Sequence, residues 1–198
     1  MLSPFVNPKS IEIPDEFHSF ETKKPFTNCV VCEKNLIEIG IHYFVEKSVK
    51  KYPNSSAFDI IFEYAICLEC ALEMRETLSK DSMEKIDSFF DEKVNLLSRW
   101  KSLTRDGKYD INDWVSNCLI TNKPVKDLNE YQIYAHCESD RMLFSLMPYV
   151  VSGEVIDHVS GLLSQKTKDE LDGFMGKYLG PPPSIREILK DKTPVFIF

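Results

Sequence analysis

Through "IHYFVEKSV" (41–49) the chain is apolar and β-rich, with His42, Phe44 and Glu46 falling on one face and Ile41, Tyr43 and Val45 on the other. "AFDIIFEYAI" (57–66) has the same character, and "KKYPNSS" (50–56) between them carries Pro and Asn at its centre. Two such runs joined by a short polar turn predict a β-hairpin. "LECALEMRETLS" (68–79) is rich in helix formers, so the hairpin should deliver the chain into a helix. The period then changes. Met83, Ile86, Phe89, Phe90, Val94, Leu97 and Trp100 recur at mostly three- and four-residue steps. That spacing predicts one amphipathic helix to about residue 101, its aromatic stripe packed in the core. Asp81 and Glu84 have the spacing of a capping box at its start.

"TRDGKYD" (104–110) breaks the pattern and marks a boundary. Beyond it "DINDWVSN" suits one helical turn, and "YQIYAHC" (131–137) alternates like a strand. "ESDR" reads as a turn and "MLFSLMPYVV" (142–151) as the hairpin partner, with Pro148 marking a bulge, an edge or the strand's end. "GEVIDHVSGLLS" (153–164) reads as a helix. Thr167 and Glu170 form a second capping box, opening a helix through about Tyr178 that Gly180 and "PPP" (181–183) terminate. The apolar tail "TPVFIF" should pack on the body or extend a sheet edge. The elements predict an α+β protein in three parts. These are an extended arm over 1–26, punctuated by Pro4, Pro8, Pro14 and Pro25, a module with its covering helix over 27–104, and a second α+β half over 105–198.

Apolar residues make up 43% and charged residues 28% of the 198, so a core can form without covalent staples. A net charge of −7 argues against a general phosphate-binding surface. "MLSPFVNPKSIEIPDEF" lacks the basic start and apolar run of a signal peptide. No stretch approaches the ~18–20 apolar residues that cross a bilayer. A soluble, cytoplasmic protein with no membrane partner is therefore expected. In a reducing compartment its six cysteines should be thiols or metal ligands, not disulfides.

The cysteines are spaced Cys29-x2-Cys32-x34-Cys67-x2-Cys70. A two-residue gap lets one tight turn aim both sulfurs at one ion, and two such pairs complete a tetrahedral zinc shell with no open position. An iron–sulfur cluster takes the same four thiolates, but nothing else in the sequence points to electron transfer. A redox CxxC should stand alone, and a catalytic zinc needs an open position. Cys67 and Cys70 fall at a predicted helix N-terminus, where the dipole should ease their ionisation. His42, on the hairpin, reads as a satisfied histidine rather than a replacement ligand. Over residues 27–80 these four positions and the order of elements resemble the treble-clef class of zinc fingers: knuckle, β-hairpin, then a helix carrying the second ligand pair. Glu33 stands where a glycine often follows such a knuckle. The resemblance implies one structural Zn2+ and a fold, and no activity.

"NCLITNKPV" (117–125) is similar to "NCVVCEKNL" (28–36), and "IYAHCESD" (133–140) to "EYAICLEC". Aligned so, Cys118 and Thr121 match Cys29 and Cys32, while Cys137 and Asp140 match Cys67 and Cys70. The second half would then be a degenerate copy held by packing instead of metal. A zinc site from Cys118, His136, Cys137 and Asp140 would crowd three ligands into one short segment. His136 and Cys137 are strand neighbours pointing to opposite faces, a poor nucleophile–base pair. Asp157 and His158 suit a solvated helix face. Walker, GxGxxG and GxSxG motifs are lacking. The leading expectation is a non-enzymatic zinc-binding module with a protein partner. The alternatives are nucleic-acid binding through a basic hairpin tip (Lys47, Lys50, Lys51, Tyr52) and an enzyme with its site within 118–160.

Overall fold

The computed structural model describes residues 8–53 and 55–180, so the proline run and the apolar tail lie outside the described residues. Within the arm, Ser10–Glu12 form strand β1 and Asp15–Phe17 a 3-10 turn. The hairpin forms as expected, from β2 (His42–Lys51) and β3 (Phe58–Cys67). β2 runs two residues past the predicted strand and takes in Lys50 and Lys51.

Helix α1 (Leu68–Thr77) follows directly, with Cys67 as its N-cap. The single long helix expected after it is two helices, α2 (Lys80–Lys93) and α3 (Leu96–Leu103). Val94 between them is extended, with φ −147° and ψ 132°. The Asn95 side chain accepts the Ser98 N–H at 2.8 Å, which starts a new helix where the apolar spacing ran on unbroken. The cap of α2 also differs from expectation. Ser79, not Asp81, accepts the Ser82 N–H, at 3.1 Å.

In the second half α4 (Ile111–Val115) is the predicted single turn, capped by Asp110. β4 (Glu130–Glu138) then turns through Ser139 and Asp140 into β5 (Arg141–Leu143). The partner expected over 142–151 is interrupted. β5 pairs with one end of β4, and β6 (Tyr149–Ser152), starting just after Pro148, pairs with the other. Two helices close the described chain, α5 (Gly153–Leu162) and α6 (Gln165–Tyr178). α6 is capped by Ser164, which accepts the Thr167 N–H at 3.3 Å, so it starts two residues before the expected box at Thr167.

All strands belong to one sheet, ordered β1-β5-β4-β2-β3, with β6 also on β4. Its centre is the antiparallel pair β2–β4, which joins the two halves, with Val45 opposite Ala135. One core cluster likewise draws from both, including Tyr43, Ile66 and Met83 from the first and Trp114, Val150 and Leu171 from the second. Each such side chain, taken fully from water, contributes roughly 1.5–3 kcal/mol. Helix α6 lies against one sheet face, where its Phe174 ring meets Tyr64 edge-on at 5.5 Å. Buried on that face, Glu46 accepts a hydrogen bond from the Tyr64 hydroxyl, and burial pushes its carboxyl up to about 8. Among the described residues no helix is long and apolar enough to cross a membrane.

Candidate metal centre

The knuckle at Cys29 is built by backbone hydrogen bonds. Cys29 N–H donates to Lys34 O at 2.9 Å, and Glu33 N–H returns to Cys29 O at 2.9 Å. Closing so tight a loop forces Glu33 into the left-handed region, at φ +59°. That is the position where a glycine was missing from the sequence pattern. The knuckle is fixed to the hairpin by Val30 N–H on Ala65 O, 2.9 Å, and to α1 by the Lys34–Glu69 ion pair, 2.7 Å.

These contacts bring Cys29 and Cys32 against Cys67 and Cys70. All four sulfurs lie within 4.8 Å of one another, as does no other such group of His, Cys, Asp or Glu among the described residues. Cys32 and Cys67 Sγ are 3.8 Å apart. A tetrahedral ion with Zn–S bonds of about 2.3 Å separates its sulfurs by about 3.8 Å, so the residues fit a four-thiolate metal. Cys29, Cys67 and Cys70 are buried, while Cys32 is exposed.

Burial works against the Cys29 thiolate, but backbone N–H groups of Cys32, Cys67 and Val31 outweigh it and hold this thiol below its ordinary value. The Cys67 N–H itself reaches Cys29 Sγ at 3.4 Å. Cys67 and Cys70 go the other way, against the expectation of easy ionisation at the α1 N-terminus. Burial and the crowded neighbouring sulfurs push Cys67 up to about 11, and Cys70 also rises. Protein groups alone do not stabilise several thiolates this close together. A divalent cation among them reverses that balance, since a coordinated thiol loses its proton outright.

The second knuckle repeats the first. Cys118 N–H donates to Lys123 O at 2.8 Å, Asn122 N–H to Cys118 O at 2.9 Å, and Leu119 N–H to Val150 O at 2.7 Å. Asn122 is left-handed at φ +56°, like Glu33, and Lys123 pairs with Glu154 of α5 at 2.7 Å, as Lys34 does with Glu69. The Ser152 N–H reaches Cys118 Sγ at 3.3 Å, as Cys67 N–H reaches Cys29. Ser152 and Val155 therefore stand where Cys67 and Cys70 do. The sequence alignment that gave those places to Cys137 and Asp140 is corrected: Cys137 sits in β4 opposite Tyr43, and Asp140 in the turn after it. Burial pushes the Cys118 thiol up, but hydrogen bonds from Ser152 and Thr121 prevail and lower it.

The helices that follow are also matched, ten and fourteen residues long in each half. Their caps meet. Ser79 and Ser164 Oγ are 3.0 Å apart; Ser79 N–H donates to Thr167 Oγ1 at 3.0 Å, and Ser164 N–H to Ser82 Oγ at 2.9 Å. This reciprocity is that of a two-fold axis between the caps.

The other singled-out residues are dispersed. His42 Nδ1 lies 3.1 Å from His136 Nε2, and His136 Nδ1 3.2 Å from the buried Ser145 hydroxyl. Burial, with His42 beside it, lowers His136 to about 4. The His158 ring rests on Phe89 at 5.0 Å. The expected basic tip is not a loop. Lys47, Lys50 and Lys51 are on β2; Lys47 pairs with Glu63 at 3.3 Å and Lys50 with Glu130 at 3.1 Å. No protein-family model, curated protein or solved structure matches the chain significantly.

Proposed function

We propose that Cys29, Cys32, Cys67 and Cys70 hold one structural zinc ion in a treble-clef arrangement, and that the protein is a non-enzymatic module docking a protein partner. The mutual approach of the four sulfurs within 4.8 Å carries the reading. Four thiolates saturate zinc, so the ion serves folding rather than a reaction. Ile37 and Ile39 support a protein partner. They follow the knuckle in a turn, 46% and fully exposed, where an apolar tip gains by being covered. The hairpin lysines, held by carboxylates and carbonyls, lend less support to nucleic acid. We also read residues 105–198 as a second copy of the module in which packing has taken over from metal.

Native mass spectrometry with elemental analysis of the full chain tests the first claim. One zinc per chain is expected. A well-folded protein without metal overturns it, and visible absorption with bound iron replaces zinc by a cluster. A photo-crosslinking residue at position 39 tests the second claim. It should trap a discrete protein adduct in cells that the same residue at exposed position 85 does not.

A further inference from the structure

The sheet face turned away from α2 and α6 is covered only in part. Along β2, Lys47, Val49 and Lys51 alternate with Glu46, Ser48 and Lys50, so they share the face opposite Glu46. The register adds Ile60 and Phe58 from β3, Tyr131 and Ile133 from β4, and Val150 from β6. The arm crosses this face through Phe17, His18 and Phe20, and Val115 and Val125 close the far side. A cavity of about 590 Å³ remains between them. That is ligand size, and its lining is mainly apolar with a few polar groups, as in small-molecule sites.

The polar groups inside have one sign of excess. Lys47, whose side chain is only 7% exposed, is balanced by Glu63 and donates to His18 O at 2.5 Å. Lys51 is different. Its Nζ donates to Val125 O at 2.9 Å and Lys126 O at 3.2 Å, and lies 5.8 Å from the Tyr131 ring centre. Among the described residues no carboxylate forms an ion pair with it. Lys23 at the rim lies over the Phe20 ring at 3.6 Å and is likewise without an acidic partner among the described residues. Of the two acids lining the cavity, Asp15 is 99% exposed and faces His18, and Glu16 is exposed, neither forming an ion pair with Lys51. A half-buried ammonium beside an apolar chamber, held by two neutral carbonyls, has one N–H direction left and no paired carboxylate among the described residues.

We propose that this cavity binds an amphipathic monocarboxylate, with its apolar body among Val49, Ile60, Ile133 and Val150 and its carboxylate on Lys51 Nζ. The site is separate from the four-cysteine centre, and the inference does not rest on the metal reading. An acyl chain suits the volume and the apolar wall of Val49, Ile60, Ile133 and Val150, which Ser19, Ser55 and Ser56 flank, and the carboxylate supplies the charge that Lys51 lacks.

Isothermal titration of the full-length protein with dodecanoate, dodecanol and dodecyltrimethylammonium, each below its micelle threshold, tests this. Dodecanoate should bind at one site, dodecanol more weakly, and the cation not at all. Lys51→Met should weaken dodecanoate about tenfold or more, the value of one charge-assisted hydrogen bond, and leave dodecanol unchanged. Lys51→Arg should keep most of the affinity. Ile60→Trp, at a partly exposed position, and Val115→Phe, on the opposite wall, should each abolish binding by filling the cavity. Unchanged dodecanol binding shows that Lys51→Met is folded. No dodecanoate binding, equal binding of acid and cation, or full affinity in both filled variants overturns the proposal.

Discussion

At Cys29 and at Cys118 the chain makes the same knuckle, leans it on the same hairpin position and ties it to the following helix with the same Lys–Glu pair. What closes the two differs. Around Cys29 there are four sulfurs. Around Cys118 there is a thiol 3.4 Å from the Ser152 hydroxyl, with Val155 buried where Cys70 would be. The helices behind them differ to match. α1 buries only Cys70 and Ala71, whereas α5 buries Val155, Ile156 and Val159. Backbone hydrogen bonds thus shape both knuckles alike, and what closes them differs: four gathered sulfurs where the helix has little apolar surface, packing where it has more. A metal is worth most where the core is poorest.

The comparison breaks most sharply at the sulfurs. Cys29→Ser with Cys67→Ser should remove the metal and cost on the order of 5 kcal/mol or more, most of a domain's stability margin. Loss of bound zinc together with the near-ultraviolet dichroism shows this; unchanged folding would mean the first knuckle is packed like the second. The converse graft is Thr121→Cys, Ser152→Cys and Val155→Cys, which should raise metal content from one to two per chain. Cobalt substitution should then double the thiolate charge-transfer band. Cys118→Ala alone should leave metal content unchanged while costing about 1–3 kcal/mol, because it orphans the Ser152 contacts and opens a small void. Ser79→Ala and Ser164→Ala should each cost about 1 kcal/mol. Their double mutant should fall short of the sum, since each cap contacts the other. The smallest effect lies at the left-handed residues. Glu33→Gly should gain up to about 1 kcal/mol by relieving its positive φ, and Asn122→Gly less, because Asn tolerates that conformation better. Urea midpoints measure both.

The four-cysteine centre was legible because ligand spacing is local and the hairpin between the pairs has a clear pattern. The helix boundaries were less so. Asp81–Glu84 and Thr167–Glu170 match a capping box, but Ser79 and Ser164 lie two or three residues earlier and have partners across the two-fold, which a local motif does not register. The break at Val94–Asn95 was hidden because apolar spacing continues through it. The likeness of the two knuckles was half visible: "NCLITNKPV" falls on the second knuckle, while "YAHC" lies in β4, away from the place of Cys67. A better signal was present in "LSKDS" (78–82) against "LSQKT" (163–167), which carries both caps at one offset. Lys51 and its cavity had no sequence signature, since the chamber is assembled from the arm, three strands and the loops at 115 and 125.

The pairing of β2 with β4 also sets an order in time. Val45 meets Ala135, and Ser10 of β1 meets Leu143, so strands made early wait for strands made about ninety to a hundred and thirty residues later. At a synthesis rate of about 5–20 residues per second, that wait is several seconds to half a minute. During it the hairpin shows an open edge to every neighbouring chain, and an edge of that kind recruits strands indiscriminately. The first half, the one with the four gathered cysteines, is the half that has to survive alone.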